Sequence, residues 1–119
     1  MKKKHDEFNC PVSCALKVIA GRWKPEILWY LKDGPMRFNH LLRSIDGVSQ
    51  KMLSQQLREL IRDGLITRTQ YETIPPHVEY QITELAVTLD PIFELLEKWG
   101  EEHKESIVSA QEKYASQSK

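Results

Sequence analysis

Apolar residues between positions 49 and 64 recur with the period of an α-helix. They fall at i, i+4, i+7 and i+8 and form one stripe: Leu53, Leu57, Leu60 and Ile61. Hydroxyls, amides and cations occupy the opposite side: Lys51, Ser54, Gln55, Arg58 and Arg62. Ser49 is a suitable N-cap, and Gly64 can adopt the left-handed turn that ends a helix. The pattern predicts a helix over 49–64 whose polar side chains suit base edges and phosphates.

Two shorter helical patterns open the chain. Pro11 favours the first helical position, so a helix over about 10–20 would have Cys10 at its N-cap and Gly21 as its stop. Its predicted buried stripe is Val12, Ala15, Leu16 and Ile19. A second helix is predicted to begin near Lys24 and to end at Gly34. Its predicted inward residues are Ile27, Leu28 and Leu31.

Positions 36–45 predict a third, shorter helix. Its predicted core residues are Phe38, Leu41, Leu42 and Ile45. Gly47 breaks this helix, and a single residue then precedes the Ser49 cap. Two helices joined by a tight turn predict a helix-turn-helix over about 36–64, whose second helix can enter a DNA major groove. Arg37 and Asn39 would lie near the start of the first of these helices, where backbone N–H groups also favour phosphate.

After Gly64 the pattern alternates as in β-strands. Positions 65–71 and 78–83 predict two strands joined by a loop that contains Pro75 and Pro76. A hairpin directly after such a helix is the wing of a winged helix, here over about 65–83. Arg68 and His77 are the cationic candidates for contact with a nucleic-acid backbone.

The remainder, over about 84–115, is predicted to be helical and is acidic. Apolar residues follow an alternating four- and three-residue spacing: Leu85, Leu89, Ile92, Leu96 and Trp99, widened by Phe93 and Leu95. Pro91 would either kink this helix or start a new one, and a last helix is predicted over 106–115. We expect a second copy of the chain on this seam, assisted by Val12 and Leu16 of the first helix. Packing of the terminal helix on its own domain is the alternative.

Length and composition limit the fold class. The 119 residues, 40% of them hydrophobic, predict one mainly α-helical domain over 10–119 after a flexible tail over 1–9. We expect a soluble, cytoplasmic protein without a membrane segment, since no apolar run approaches the length of a membrane span. The net charge is zero, but residues 1–70 carry +6 and residues 71–119 carry −6. Local binding of a polyanion by the basic half is therefore expected.

Enzymatic function is not expected. The sequence contains no Gly-rich phosphate loop, nucleophile elbow or HExxH motif, and no cofactor or metal site is predicted. Cys10 and Cys14 with His5 or His103 are the only residues considered for metal binding. A winged helix that binds proteins is one alternative function, and it would expose an apolar patch in place of the polar face. A regulator that binds a small aromatic ligand between Trp23, Trp29, Tyr30 and Trp99 is another.

Several motifs in order along the chain resemble the HxlR-type transcriptional regulators, winged-helix proteins related to the MarR group. They are CPV at 10–12, IAGRW at 19–23, LKDGP at 31–35, RFN at 37–39, SQKML at 49–53, LREL at 57–60, DGL at 63–65, PP at 75–76, VEY at 78–80 and WGEEH at 99–103. The resemblance implies a bacterial or archaeal homodimer on a pseudo-palindromic operator in double-stranded DNA. His77 and Ala86 depart from the residues common in this family, a basic residue and a glycine respectively.

The resemblance also concerns Cys10. A thiol at a helix N-terminus has its thiolate stabilised by unpaired N–H groups. Some relatives sense oxidants or electrophiles through the matching cysteine, often by a disulfide between subunits, so Cys10 is a candidate redox sensor. A small residue at a dimer interface is the alternative role. For Cys14 we expect an inert thiol, because a disulfide to Cys10 within one helix would be strained.

The candidate functional residues form two sets, one for contact with DNA and one for contact with a second copy of the chain. The predicted DNA contacts are Arg37, Asn39, Ser49, Gln50, Lys51, Ser54, Gln55, Arg58, Arg68 and His77. The predicted dimer contacts are Val12, Leu16, Leu85, Leu89, Ile92, Phe93, Leu96 and Trp99. The operator sequence, the direction of regulation and any inducer stay open.

Overall fold

A computed structural model describes residues 10–117 of the chain. The elements in order are α1 (Pro11–Ile19), α2 (Lys24–Leu31), β1 (Met36–Arg37), α3 (Phe38–Ser44), α4 (Gln50–Arg62), β2 (Ile66–Tyr71), β3 (His77–Ile82), α5 (Glu84–Val87) and α6 (Asp90–Gln117). They divide into two compact units, with the boundary between Val87 and Thr88. The predicted tail over 1–9 lies outside the described residues, and the single domain over 10–119 stays a prediction.

The core of the first unit is made by α2, α3, α4 and the start of β2. Its largest fully buried side chains are Ile27, Leu31, Leu41, Ile45, Leu53, Leu57, Leu60 and Ile66. The predicted inward residues of α2 are confirmed, as are three of the four stripe residues of α4. Ile61, the fourth, is 37% exposed, so its prediction as a buried residue was wrong.

Three antiparallel strands form the sheet, in the order β1-β3-β2. The hairpin register pairs Ile66 with Ile82 and Tyr71 with His77, which confirms the predicted wing to within one residue at each end. Helices α3 and α4 with this small sheet make a winged helix-turn-helix, the fold class that the pattern predicted.

The base of the hairpin is closed by one residue, Thr83. Its N–H donates to the carbonyl of Leu65 at 3.0 Å, and its hydroxyl donates to the carbonyl of Gly64 at 2.8 Å. The same hydroxyl accepts the N–H of Ala86 at 3.2 Å and so caps α5. The end of α4, both ends of the hairpin and the start of α5 therefore meet at Thr83.

The predicted helix over 36–45 was wrong in its first two residues. Met36 and Arg37 are extended and pair with Tyr80 and Glu79 of β3. Pairing with a distant strand satisfies backbone groups that a helix would otherwise have bonded. Helix α3 consequently begins at Phe38, with Arg37 as its N-cap.

The predicted buried stripe of α1 was also wrong, apart from Ile19. Val12 is 66% exposed and Leu16 is 51% exposed, and Ala15 is exposed as well. The helix boundaries themselves are confirmed, with Cys10 at the N-cap and Pro11 at the first position. Helix α1 thus has an amphipathic sequence whose apolar face is largely uncovered.

Helix α6, in the second unit, runs without interruption over 28 residues. A separate last helix over 106–115 was therefore a wrong prediction. The break occurs earlier, between α5 and α6, where Pro91 occupies the first turn and removes only an N–H that has no helical partner. No residue of α6 is buried, and Ile92, Leu95, Leu96 and Trp99 are all exposed.

Candidate nucleic-acid interface

Both ends of α4 are fixed by local hydrogen bonds. The side chain of Ser49 accepts the N–H of Met52 at 3.1 Å, as expected of an N-cap. At the other end, Gly64 has φ +79°, and the N–H of Leu65 donates to the carbonyl of Leu60 at 2.9 Å. Because three leucines bury the inner side of α4, its polar side is held toward solvent.

The outward side of α4 carries most of the predicted DNA contacts. Gln50, Lys51, Gln55 and Arg58 are exposed, and Ser54 is half-buried. A groove of about 430 Å³ runs between this face and the wing. Among the residues that line it are Gln50, Ser54, Arg58 and Arg68. The structure therefore brings the wing arginine and the polar face of α4 to one surface.

A second groove, of about 710 Å³, lies between α3 and β3. Arg37, Asn39 and His77 line it, together with His40 and Arg43. Arg43 was missed by sequence reasoning, although its position among the six arginines of the basic half is a signal that could have found it. The cationic side chains that line this groove add to those on the exposed face of α4.

His77 is held by its neighbours in the wing. Its ring stacks on Tyr71 with centroids 4.8 Å apart. Its Nε2 lies 2.9 Å from a carboxylate oxygen of Glu79, and its Nδ1 lies 3.0 Å from the hydroxyl of Thr73, which donates to the carbonyl of Pro75. A phosphate contact by His77 would compete with these bonds. The ring therefore stabilises the wing, because it contacts both strands and the loop between them. Its DNA contact stays a prediction.

A partly buried ion pair links α2 to α4. Lys24 is 6% exposed, and its ammonium donates to Glu59 at 2.7 Å. This hydrogen bond holds the pKa of the Glu59 carboxyl below its usual range. The other carboxylate oxygen of Glu59 accepts from the side-chain amide of Gln55 at 3.4 Å. Sequence reasoning missed the pair because the two residues are 35 positions apart and Lys24 was identified only as the start of a helix.

Arg62, at the end of the predicted polar face, pairs with the residue that follows it. Its Nε and Nη2 donate to the two carboxylate oxygens of Asp63 at 2.9 and 3.1 Å. This bidentate bond raises the pKa of the guanidinium above its usual value. Arg62 is therefore less available for phosphate than Arg58.

Cys10 is exposed and is a free thiol, as is the half-buried Cys14. The backbone N–H and the hydroxyl of Ser13 and the N–H of Val12 face the sulfur and lower the pKa of the Cys10 thiol. None of these groups makes a full capping hydrogen bond to the side chain. The arrangement favours a reactive thiolate at this position.

The aromatic residues considered for ligand binding in the first unit have separate surroundings. Trp23 is 4% exposed and belongs to the core. Trp29 is exposed and lies under the ammonium of Lys32, 3.3 Å from its ring centroid. The hydroxyl of Tyr30 donates to the carbonyl of Ser44 at 3.0 Å. Trp99, the fourth candidate, is in the second unit.

Residues 10–117 contain neither of two other kinds of feature, a metal centre and a membrane-spanning helix. Within this range, no three His, Cys, Asp or Glu side chains are grouped so that they could hold a metal ion. His5, considered as a metal ligand from the sequence, lies outside the described residues. Among the described helices, none combines the length and the apolar character needed to cross a membrane.

Known proteins resemble this chain over most of its length. The HxlR-like helix-turn-helix family matches residues 18–108. An uncharacterized HTH-type transcriptional regulator of Bacillus subtilis (strain 168), YdeP, is 45% identical over 103 residues, which are 86% of this chain and 80% of YdeP.

Solved structures share the fold. The redox regulator HypR in its reduced form has a TM-score of 0.79 and 41% identity, and the match covers 84% of this chain and 99% of HypR. The reduced transcriptional regulator YodB from B. subtilis has a TM-score of 0.70 and 33% identity, over 76% of this chain and 90% of YodB. HypR has also been solved in an oxidized form and YodB after diamide treatment.

These relatives are transcriptional regulators and not enzymes. The family match, the identity to YdeP and the winged helix-turn-helix all agree with the resemblance found in the sequence motifs. The chain belongs to the HxlR-like helix-turn-helix family of transcriptional regulators.

Proposed function

We propose that the protein is a cytoplasmic, homodimeric regulator that binds a pseudo-palindromic operator in double-stranded DNA. The observation that carries this proposal is the outward face of α4. It is polar and cationic, it is fixed by a buried inner side and two capped ends, and it shares a groove with Arg68 of the wing. This is the geometry with which a helix-turn-helix reads a major groove.

The side chains of this face divide into two roles. Gln50, Lys51, Ser54 and Gln55 are assigned to base edges, because amides, hydroxyls and an ammonium can match the hydrogen-bonding pattern of the major groove. Arg37, Arg58 and Arg68 are assigned to phosphates. Ser49 and Asn39 flank these groups at the starts of α4 and α3, where they would contact the backbone.

A homodimer would bring two copies of α4 to the two halves of the operator. Support comes from the two terminal helices, each of which has apolar side chains that its own unit leaves exposed. In α1 they include Val12 and Leu16, and in α6 they include Ile92, Leu96 and Trp99. Leu85 of α5 is also exposed, whereas Leu89 and Phe93 are half-buried. Exposed apolar surface of this extent is typical of protein interfaces.

Selection from a pool of genomic DNA fragments tests the proposal. The purified protein is incubated with the pool, and the retained fragments are sequenced. We expect enrichment of a two-fold symmetric site whose half-sites are separated by one helical turn or a multiple of it. Retention that depends only on salt, without an enriched sequence, would contradict the proposal and would favour a winged helix that binds proteins.

Thiol sensing is a second proposed function, and Cys10 is the observation that favours it. The thiol is exposed, its pKa is lowered, and it lies at the start of a helix with an uncovered apolar face. Two Cys10 thiols from two copies could join as a disulfide while diamide takes up the two protons and two electrons. HypR, which is described as a redox regulator, is a structural relative.

Diamide treatment followed by reduction tests the sensing role. We expect operator affinity to change after diamide and to return after dithiothreitol. Cys10→Ser should abolish the change, while Cys14→Ser, the matched control in the same helix, should retain it. An operator affinity that diamide leaves unaltered in the wild-type protein would exclude Cys10 as a switch.

A further inference from the structure

Glu59 is the one carboxylate in the α4 sequence QKMLSQQLRELIR, and it faces two donors. The ammonium of Lys24 bonds one of its oxygens at 2.7 Å, and the amide nitrogen of Gln55 lies 3.4 Å from the other. Lys24 is the first residue of α2 and is almost fully buried. The start of a helix is an unfavourable place for a buried cation. Its bond to Glu59 is what compensates the charge there.

The pair determines which way the amide of Gln55 is turned. The hydrogen bond from Lys24 lowers the pKa of Glu59, so the carboxyl is ionised. An ionised carboxylate can only accept hydrogen bonds. The amide atom of Gln55 that faces it must therefore be the NH₂ group, and the carbonyl oxygen is the group directed away from Glu59.

We infer that Lys24 and Glu59 are positioning residues for base recognition, and that they make Gln55 present a hydrogen-bond acceptor to the DNA. This inference rests on the proposed function. In the major groove the complementary donors are the amino groups of adenine, N6, and of cytosine, N4. Gln55 is then specific for an amino-bearing base, whereas a glutamine without Glu59 could turn its amide either way.

Substitution Glu59→Gln should reverse this preference. The new amide would accept the hydrogen bond from Lys24 through its oxygen, and its own NH₂ group would then face Gln55. Gln55 would have to meet that group with its carbonyl oxygen and turn its NH₂ group to the DNA. The complementary bases become those with an acceptor in the major groove: guanine with O6 and N7, thymine with O4 and adenine with N7, whereas cytosine has none.

The experiment uses the operator obtained by selection. The position read by Gln55 is the one at which Gln55→Ala abolishes discrimination. Each of the four bases is placed there in both half-sites, and the dissociation constant is measured for every duplex. For the wild-type protein we expect replacement of an amino-bearing base by guanine or thymine to weaken binding at least about fivefold. Glu59→Gln should instead bind guanine or thymine more tightly than cytosine.

Two further variants separate this effect from a general disturbance. Asp63→Asn is the matched control, because it changes another acid near the end of α4 to its amide without touching Gln55. It should keep the wild-type order of bases. If Glu59→Gln fails to fold, Lys24→Met with Glu59→Leu replaces the pair by apolar side chains. This double variant should bind all four duplexes within about twofold of one another, since Gln55 is then free to turn.

The outcomes distinguish this inference from the function on which it rests. A wild-type preference for guanine or thymine at the Gln55 position, or an unchanged order in Glu59→Gln, would overturn the positioning role and leave the DNA-binding function standing. An unchanged order in the double variant would do the same. Absence of any selected sequence would overturn both.

Discussion

Helices α4 and α6 differ in how many of their side chains are buried. Helix α4 buries Leu53, Leu57 and Leu60 to 1% exposure or less, and both of its ends are capped within the unit. Helix α6 is more than twice as long and buries none of its residues. Helix α4 is held in place by contacts within its own unit, so its exposed polar face is available to bind a ligand. Helix α6 has apolar side chains that its own unit leaves exposed.

The two helices also differ in the sign of their charge. Helix α4 has Lys51, Arg58 and Arg62 against the single carboxylate of Glu59, which Lys24 compensates. Helix α6 is dominated by acids, seven against three lysines in DPIFELLEKWGEEHKESIVSAQEKYASQ. A polyanion is attracted by the first helix and repelled by the second. This contrast supports the proposed partners, DNA for α4 and a second copy of the chain for α6.

The largest expected effect would come from a charge on the apolar face of α6. Leu96→Glu should convert the proposed dimer to a monomer, measurable by analytical ultracentrifugation. Operator affinity should fall by about 100-fold or more, because the second half-site contact is no longer intramolecular. Glu97→Gln, the matched control at the next residue, should remain dimeric. A Leu96→Glu protein that is still dimeric would show that α6 is not the partner surface.

Next in size are two substitutions that test the division of roles on the DNA side. Gln55→Ala should cost roughly 1–3 kcal/mol per half-site of the cognate operator and relax specificity at one base pair in each half-site. Arg68→Ala should weaken binding to all sequences alike and reduce the salt dependence by about two phosphate contacts, one from each subunit of the proposed dimer. Fluorescence anisotropy titrations at several salt concentrations measure both. Uniform loss in both variants would contradict the assignment of Gln55 to base edges.

A smaller effect is expected from the cap of α4. Ser49→Ala should lower the free energy of unfolding by about 1 kcal/mol, since the N–H of Met52 loses its acceptor. Urea denaturation measures this change. Ser49→Asn, which preserves an acceptor at the cap, should stay close to the wild type. Equal destabilisation by both substitutions would mean that the cap contributes less to α4 than its geometry indicates.

The smallest effect concerns α1, whose uncovered apolar face resembles that of α6. In a Cys14→Ser background, the rate of Cys10 alkylation by iodoacetamide should reach its midpoint at a lower pH than that of glutathione measured alongside. The reason is that the lowered pKa keeps the thiolate populated as the pH falls. Ser13→Ala should move the midpoint upward only part of the way, because the backbone N–H groups remain. A midpoint equal to that of glutathione would remove the argument for a reactive thiol.

The sequence predicted those features that depend on neighbouring residues. The bounds of α4, its Ser49 cap, its three buried leucines and the hairpin after Gly64 all follow from periodicity and turn chemistry over a few positions. The motifs also predicted the family correctly. Each of these features is set by residues close together in the sequence, and tertiary contacts do not change it.

Features that depend on distant residues were predicted less well. Strand β1 forms because Met36 and Arg37 meet β3 more than forty positions later. The bond between Lys24 and Glu59 likewise has no local signature. Val12 and Leu16 were predicted both as part of a buried stripe and as dimer contacts, and they are exposed in this chain. An apolar stripe indicates that a helix face is covered, but not by which chain.

Thr83, which closes the hairpin at its base, has a consequence for protein engineering. Its bonds to Gly64 and Leu65 fix the entry and the exit of the wing independently of the residues between the strands. The tip over 72–76 can therefore be replaced without changing the base of the wing, although a graft that removes Thr73 also removes its bonds to Pro75 and His77. A longer or differently charged loop grafted there would alter which flanking DNA the wing reaches. The position of α4 on its proposed half-site would stay as in the parent protein.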